Sequence, residues 1–405
     1  MSTELRWLEG VKVLDMTRYL AGPSCTRLLT ELGADVIKVE TPPYGDPNRS
    51  TRPRINKRAG THIQQNRGKR SFCVDMNHPE GAELIRELAT KVDIVVENFS
   101  PGVLKRRNLD YETLSEANPS LIMASVSGFG QTGPLSEQPC FDLIAQGYAG
   151  LMHMTGEPDR PPMFVGFGLA DTNAGAHAFA AIGHALFNRE RTGRGTHLDI
   201  SMVDALFHMQ DLPVHAESMT NGEYGAIRQG TNFQMLSPAG SFQGPQGWIV
   251  ILCAEAQIGN LYEAMGKSEL SEDPRFQGNP ARLENRTELT SIIEEWMSSF
   301  SSDEEVLEAL QKHRVPCGPV LTPNETLTHP HFVERGTIRT VQDPLLGEVQ
   351  IPGFPFKSSE PLPEDSYQAA ALGEHNREVL VEELGKSEEE IANLESSGVI
   401  ASKPH

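Results

Sequence analysis

Residues 167–178 read FGLADTNAGAHA. One carboxylate, Asp171, stands among glycines and alanines, and two kinds of chemistry could place it there. At the start of a helix it could cap the chain by accepting from the amide of Asn173 or Ala174. Kept from water by small apolar neighbours, it could instead attack a carbonyl carbon. The elements that carry Asp171, and whatever stands opposite it, decide between these.

Other reactive residue types offer less. GFGQTG (128–133) matches the dinucleotide-binding glycine pattern literally, but Pro134 follows at once and no helix is expected to open there, which argues against NAD. RGKRS (67–71) has a lysine without the glycine spacing of a phosphate-binding loop. The thirteen histidines include no HExxH, and no Ser-His-Asp order is supported. Five cysteines (Cys25, Cys73, Cys140, Cys253 and Cys317) lie far apart with no CxxC pair, so neither a metal site nor a disulfide framework is expected. They read as small core residues of a protein from a reducing compartment, and a cytoplasmic location is expected.

The chain has 405 residues, enough for two or more domains, with 38 % hydrophobic and 22 % charged residues, as in folded water-soluble proteins. A net charge of −20 argues against nucleic-acid or membrane-surface partners, which are themselves anionic. No apolar stretch reaches the ~18 residues of a membrane span. The opening MSTELRWLEGVKVLDM lacks the basic start and apolar run of a secretory leader.

The first 130 residues alternate strand and helix signals. Strands are expected at 11–16, 35–40, 71–76, 93–99 and 121–130, with helices at 24–34 and 79–92. That rhythm predicts an α/β fold with a Rossmann-like parallel sheet. Ligands bind such sheets at the carboxyl ends of strands, so the loops after Met16, Met76, Val96 and Val126 are the first places for a site. An Ala-rich helix is expected over 172–187, with Ala174, Ala178, Ile182 and Leu186 on one face. A strand and the helix MVDALFHMQ follow. The division expected is 1–224 for a large domain, 225–320 for a smaller α/β domain with a strand at 248–253 and helices near 256–266, 285–300 and 302–313, and 321–405 for a return to the large domain. VPCGPVLTP (315–323) reads as a linker. Strands around 336–351 and a charged helix at 375–395 complete the pattern.

Several blocks resemble the family III CoA-transferases, the group of formyl-CoA and carnitine CoA-transferases. They are VKVLDMTRYLAGPSCTRLLTELGADVIKVE (11–40), NRGKRSFCVDM (66–76), DIVVENFSPGVLKRRNLDYETLSEANPSLI (93–122) and ADTNAGAHAFAAIGHALFNRERTGRGTHLDISMVDA (170–205), with PCGPV (316–320) and LGEHNREVL (372–380) near the end. They run in family order over nearly the whole chain. The resemblance implies a catalytic aspartate at Asp171, which passes CoA from an acyl-CoA thioester to an acceptor acid through an aspartyl anhydride and an aspartyl-CoA thioester. It also implies CoA contacts at Arg18, Ala21, Val74, Asn98, Phe99 and Arg106, with Lys105 and Arg107 widening the positive patch. The alternative for residues 105–107 is a solvated helix face, and for Phe99 plain core packing. Neither a metal nor a permanently bound cofactor is implied; CoA enters as part of the substrates. The family's assembly is a homodimer of two interlocked chains.

Departures from the formyl-CoA transferase pattern bear on the substrate. Leu20 stands where that enzyme has an active-site glutamine, and Thr41 replaces a basic residue. Its glycine-run loop has only SPAGSFQGPQG (237–247) as a counterpart. Oxalate is therefore disfavoured as acceptor, and another acid with a succinyl-CoA type donor is expected. The related α-methylacyl-CoA racemases need a His/Asp pair in a GHD context; this chain reads CFD at 140–142, and Phe141 cannot carry a proton. A CoA-binding protein without turnover is the remaining alternative.

Overall fold

The computed structural model describes residues 6–359 and 368–403. The reading of the N-terminus as no leader falls partly outside them. The chain divides into two compact units. The first comprises 1–150, 165–211 and 330–405, and the second 151–164 and 212–329.

The first unit is built on six parallel strands: β1 (Lys12–Asp15), β2 (Asp35–Glu40), β3 (Arg70–Cys73), β4 (Ile94–Glu97), β5 (Ile122–Ser127) and β6 (Thr196–Ser201). Their spatial order is β3-β2-β1-β4-β5-β6, all pairs parallel. Successive strand residues point to opposite faces, and both faces are buried. Leu14, Ile37, Val39, Phe72, Val95 and Met123 pack on one side with Leu84, Ile85 and Leu88 of helix α1 (Pro79–Ala89) and with the C-terminal segment at Val379, Leu380 and Ile400. On the other side Val13, Val36, Ile94, Val96, Ile122 and Ala124 meet two helices that need small contact residues.

Those helices are Ala21–Glu31 (helix A) and Leu169–Thr192 (helix B). Helix B buries Ala170, Ala174, Gly175, Ala178 and Ile182. A β-carbon on Gly175 would stand 2.6 Å from the Ala21 carbonyl oxygen and 2.7 Å from Ser24 Cβ, so the backbones are in close approach. The small residues around Asp171 thus have a packing reason. Helix B ends at Gly193, whose φ of 69° suits glycine.

One expectation for the C-terminal part changes and another holds. The charged run at 375–395 is interrupted: Asn376–Glu378 continues into the wider turn Val379–Glu383, Gly385 takes a φ of 63°, and a new helix begins at Glu388, capped reciprocally by Ser387 and Glu390. The hairpin Ile338–Asp343 with Gly347–Pro352 supplies the strands expected at 336–351.

In the second unit, Ala239–Gln243, Trp248–Leu252 and Cys317–Pro319 form an antiparallel sheet with Trp248–Leu252 in the centre. Cys317–Pro319 is therefore an edge strand, where the sequence reads as a linker; proline is tolerated there because an edge leaves amide positions unpaired. The glycine-bearing stretch 237–247 is likewise built into this sheet and its hairpin turn. Phe242, Ile249 and Ile251 face a core with Leu261, Leu289, Ile293, Val306 and Leu310 of the helices Ile258–Ala264, Arg286–Met297 and Asp303–Lys312. Trp248, Val250 and Leu252 are exposed on the opposite face.

Candidate active site

The strand order reverses direction between β1 and β4, so the chains leaving these two strands part and open a crevice at their carboxyl ends. A cleft of about 460 Å³ lies there. It is lined by Arg18–Ala21 after β1, Asn98–Pro101 after β4, Val126–Gly128 at the end of β5, Cys140 and Phe141, and Asp171 at the start of helix B. Three of the four loops singled out from the sequence therefore meet; the loop after Met76 does not line this cleft. Among the described lining residues Arg18 is the one cation and Asp171 the one carboxylate.

Asp171 occupies the first turn of helix B but does not cap it. That place is taken by Asp142, whose Oδ1 accepts from the amides of Ala170 (2.6 Å) and Asp171 (3.2 Å). Asp142 is held in turn by Gln146 Nε2 at 2.6 Å. No described residue donates to the Asp171 carboxylate. Burial, reinforced by the nearby Asp142 charge, pushes its pKa up to about 7. Gly168, one turn away, lets Leu20 close in: a β-carbon there would lie 2.5 Å from Leu20 Cδ2. The carboxylate thus faces apolar and small groups, with Cys140 beside it. Burial first, then the Asp171 charge, raises the Cys140 thiol to about 11, which leaves it protonated at neutral pH.

The lip opposite is Thr17–Tyr19. Each of its backbone polar groups is met by a side chain. Asp15 Oδ1 accepts from Thr17 N–H (2.9 Å), and Lys38 Nζ donates to the Thr17 carbonyl. Asn98 accepts from Arg18 N–H (2.7 Å) and donates to the Arg18 carbonyl (2.8 Å). Asp46 accepts from Tyr19 N–H (3.1 Å), and Asn48 donates to the Tyr19 carbonyl. This holds Tyr19 at a φ of 61°, a conformation a tyrosine adopts only under such constraint, with its ring edge-on to Phe141 at 6.1 Å. The anchors are themselves anchored: Asp15 also meets Lys69 (2.9 Å) and Thr26 (2.7 Å), all of them buried. Burial works against the Asp15 charge, yet Lys38 and Lys69 outweigh it and hold the carboxyl well below its usual range. Burial lowers Lys69 to about 8 despite Asp15.

Of the residues expected at the site, Asp171, Arg18, Ala21, Asn98 and Phe99 converge on the cleft. Asn98 commits its amide to the Arg18 peptide groups, while Phe99 donates its N–H to Glu97 Oε2 (2.8 Å) and packs partly on the sheet core. Val74 is fully buried in that core and Arg106 lies exposed on the short turn Lys105–Arg107; neither lines the cleft. Arg107 is engaged locally, donating to Asn77 Oδ1 (3.1 Å) and to the Val103 carbonyl (2.8 Å). Sequence reasoning missed Asp142, Ser127 and the Asn98 clasp. Asp142 carried a faint signal, an acidic residue opening a helix. Ser127 carried none; its Oγ is buried without a partner in the cleft wall. Among the described residues no cluster suits a metal ion, and no helix is long and apolar enough to cross a membrane.

Comparison with known proteins places this geometry. The profile of CoA-transferase family III matches residues 8–376. The chain is 38 % identical to the succinyl-CoA–D-citramalate CoA-transferase of Chloroflexus aurantiacus, over 98 % of both chains. It is 35 % identical to a formyl-CoA:oxalate CoA-transferase of Streptomyces coelicolor, over 97 % of this chain and 99 % of that one. The crystal structure of a CaiB/BaiF family protein from Brucella suis superposes with a TM-score of 0.84 at 35 % identity, covering 94 % of this chain and 100 % of the other. A parallel sheet with its crevice at the β1/β4 reversal, matched from end to end in sequence and structure, makes the chain an enzyme of CoA-transferase family III.

Proposed function

We propose that the chain moves CoA from succinyl-CoA to a dicarboxylic acid, with Asp171 as the covalent nucleophile. The observation that carries this reading is the pairing of an unpartnered, half-buried carboxylate with a rigid lip across a cleft at the strand ends. In the first step an Asp171 oxygen attacks the thioester carbonyl; the C–S bond breaks, CoA leaves as thiolate, and a mixed anhydride forms. The thiolate attacks the aspartyl carbonyl, expels the donor acid as carboxylate and leaves an aspartyl-CoA thioester. The acceptor carboxylate then repeats the sequence in reverse. Thioester energy is conserved throughout, so neither ATP nor a redox partner is needed.

Scarce water serves twice. It leaves the Asp171 carboxylate poorly solvated and therefore reactive, and it protects the anhydride from hydrolysis. Arg18 is placed to neutralise an anionic substrate group. The succinyl-CoA donor and dicarboxylic acceptor are supported by the Chloroflexus relative's name, and Leu20 and Thr41 disfavour oxalate. Phe141 in the cleft wall, where a racemase needs an acid–base histidine, weighs against proton exchange. The exposed Trp248, Val250 and Leu252 suit burial against a second copy, in keeping with an interlocked homodimer; the proposed setting is the cytoplasm.

The test is a panel of acids offered with succinyl-CoA, acetyl-CoA or formyl-CoA and read by mass spectrometry of the CoA products. New thioesters with succinyl-CoA and dicarboxylic acids are expected. Exclusive use of formyl-CoA with oxalate would overturn the substrate assignment, and absence of every transfer would overturn the activity.

A further inference from the structure

In a chain of net charge −20, one cavity of the first unit has the opposite character. About 280 Å³ in volume, it is lined by Arg49, Arg54, Lys57, Arg58, Lys403 and His62, and by no acidic residue. Two of these cations are neutralised in its wall. Arg49 pairs with Glu40 (2.6 Å) and Arg58 with Asp343 (2.6 Å), each also donating to a carbonyl, of Ala370 and Ala369. Arg54, Lys57 and Lys403 have no carboxylate partner among the described residues; Arg54 Nε donates to the Lys57 carbonyl (3.2 Å) and Lys403 Nζ lies over the Tyr44 ring at 5.2 Å, contacts that leave their positive charge unneutralised beside the cavity.

The position of Lys57 is informative. A two-residue turn, Asn56–Lys57, joins the short ladder of Arg54–Ile55 with Arg58–Ala59, and both turn residues have positive φ, 47° and 65°. Glycine fits such a turn with less strain. The backbone therefore gains nothing from lysine there; what the position supplies is an ammonium beside the cavity. His62 is buried in the same wall with Nδ1 3.1 Å from Asn66 Nδ2. Burial, with Arg49 adding to it, holds this ring neutral, so it contributes a polar surface without a further charge to desolvate. The volume is below that of pockets that enclose whole drug-sized ligands and suits a compact anionic group.

We infer that this cavity binds a phosphate-bearing anion, with Arg54, Lys57 and Lys403 as its charged contacts. The phosphate group could belong to the CoA moiety of a substrate or to a separate phosphate compound; the recognising chemistry is the same. The site is distinct from the Asp171 cleft and stands whether or not the proposed transfer mechanism holds.

Pyrophosphate, CoA and 3′-dephospho-CoA titrated calorimetrically into the wild type and into K57G/K403Q test it. Glycine suits the positive φ at 57, so the variant should fold with an unchanged or higher melting temperature. Affinity for pyrophosphate is expected to fall about tenfold for each ammonium removed, with the wild-type value weakening as salt rises. If affinity for CoA falls as well and that for dephospho-CoA does not, the occupant is the 3′-phosphate of CoA. If pyrophosphate alone is affected, it is a separate compound. Unchanged affinity for both pyrophosphate and CoA in the folded variant would overturn the assignment.

Discussion

Asp15 and Asp171 are carboxylates of the same kind in the same unit, and their surroundings drive them in opposite directions. Asp15, at the end of β1, is fully buried and meets two ammonium groups and two hydroxyls. Asp171, at the start of helix B, meets no donor among the described residues and feels Asp142 as a second negative charge. One is held ionised well below the usual range and the other is pushed up to about 7. Partnership makes a carboxylate structural and unreactive; its lack leaves one free for the role proposed for Asp171. The two are linked, because Asp15 and its lysines hold the lip that faces Asp171.

The largest expected effect is on turnover. Asp171→Asn keeps the shape of the side chain and cannot form an anhydride, so CoA transfer should fall by more than about 10³-fold in a steady-state assay. Near-normal turnover would erase the distinction. Asp15→Asn should act on the fold instead. It leaves Lys38 and Lys69 buried beside a neutral group and should cost about 3–5 kcal/mol in denaturant unfolding. A smaller change is expected for Asn98→Ala, which frees the Arg18 peptide groups. Loss of two hydrogen bonds of about 0.5–1.5 kcal/mol each should lower the melting temperature by a few degrees and, by loosening the lip, kcat/KM about tenfold. If Asn98→Ala leaves kcat/KM unchanged, the lip does not need its clasp.

The smallest effect carries a sign that separates the two aspartates. Asp15 has a lowered folded pKa, so its stabilisation is present above its unfolded value near 3.8 and fades as pH falls below it. Asp171 has a raised folded pKa, so the unfolded chain loses that proton first and stability falls as pH rises from about 4 to about 7. Asp171→Asn should therefore be more stable than the wild type at pH 8, on the order of 1 kcal/mol, and no more stable at pH 4. A helix-capping Asp171 would give the reverse at pH 8.

Much of this was legible in the sequence, and the gaps have physical causes. Alternating strand and helix patterns mark the parallel sheet, because its central strands Lys12–Asp15, Asp35–Glu40, Ile94–Glu97 and Ile122–Ser127 are buried on both faces and are rich in β-branched and aliphatic residues. The order of strands carries the site: once β1 and β4 are neighbours, Arg18, Ala21, Asn98 and Phe99 must converge. What could not be read were contacts between residues far apart in sequence. Asn98 meets Arg18 across 80 positions and leaves no local pattern; Asp142 caps a helix that begins 27 residues later, and its only local mark is that it opens a helix of its own. The strand Cys317–Pro319 was obscured by Pro316 before it and Pro319 at its end, and the break in the helix expected at 375–395 by a charge pattern that runs on across Gly385.

Covalent acylation of Asp171 is the claim on which the account turns. The wild-type enzyme is mixed with succinyl-CoA, quenched with hydroxylamine and digested, and the peptide containing FGLADTNAGAHA is weighed by mass spectrometry. A hydroxamate on Asp171 is expected, absent when CoA and succinate replace the thioester before mixing and absent from Asp171→Asn. An unmodified Asp171 peptide from an enzyme that is turning over would contradict the mechanism.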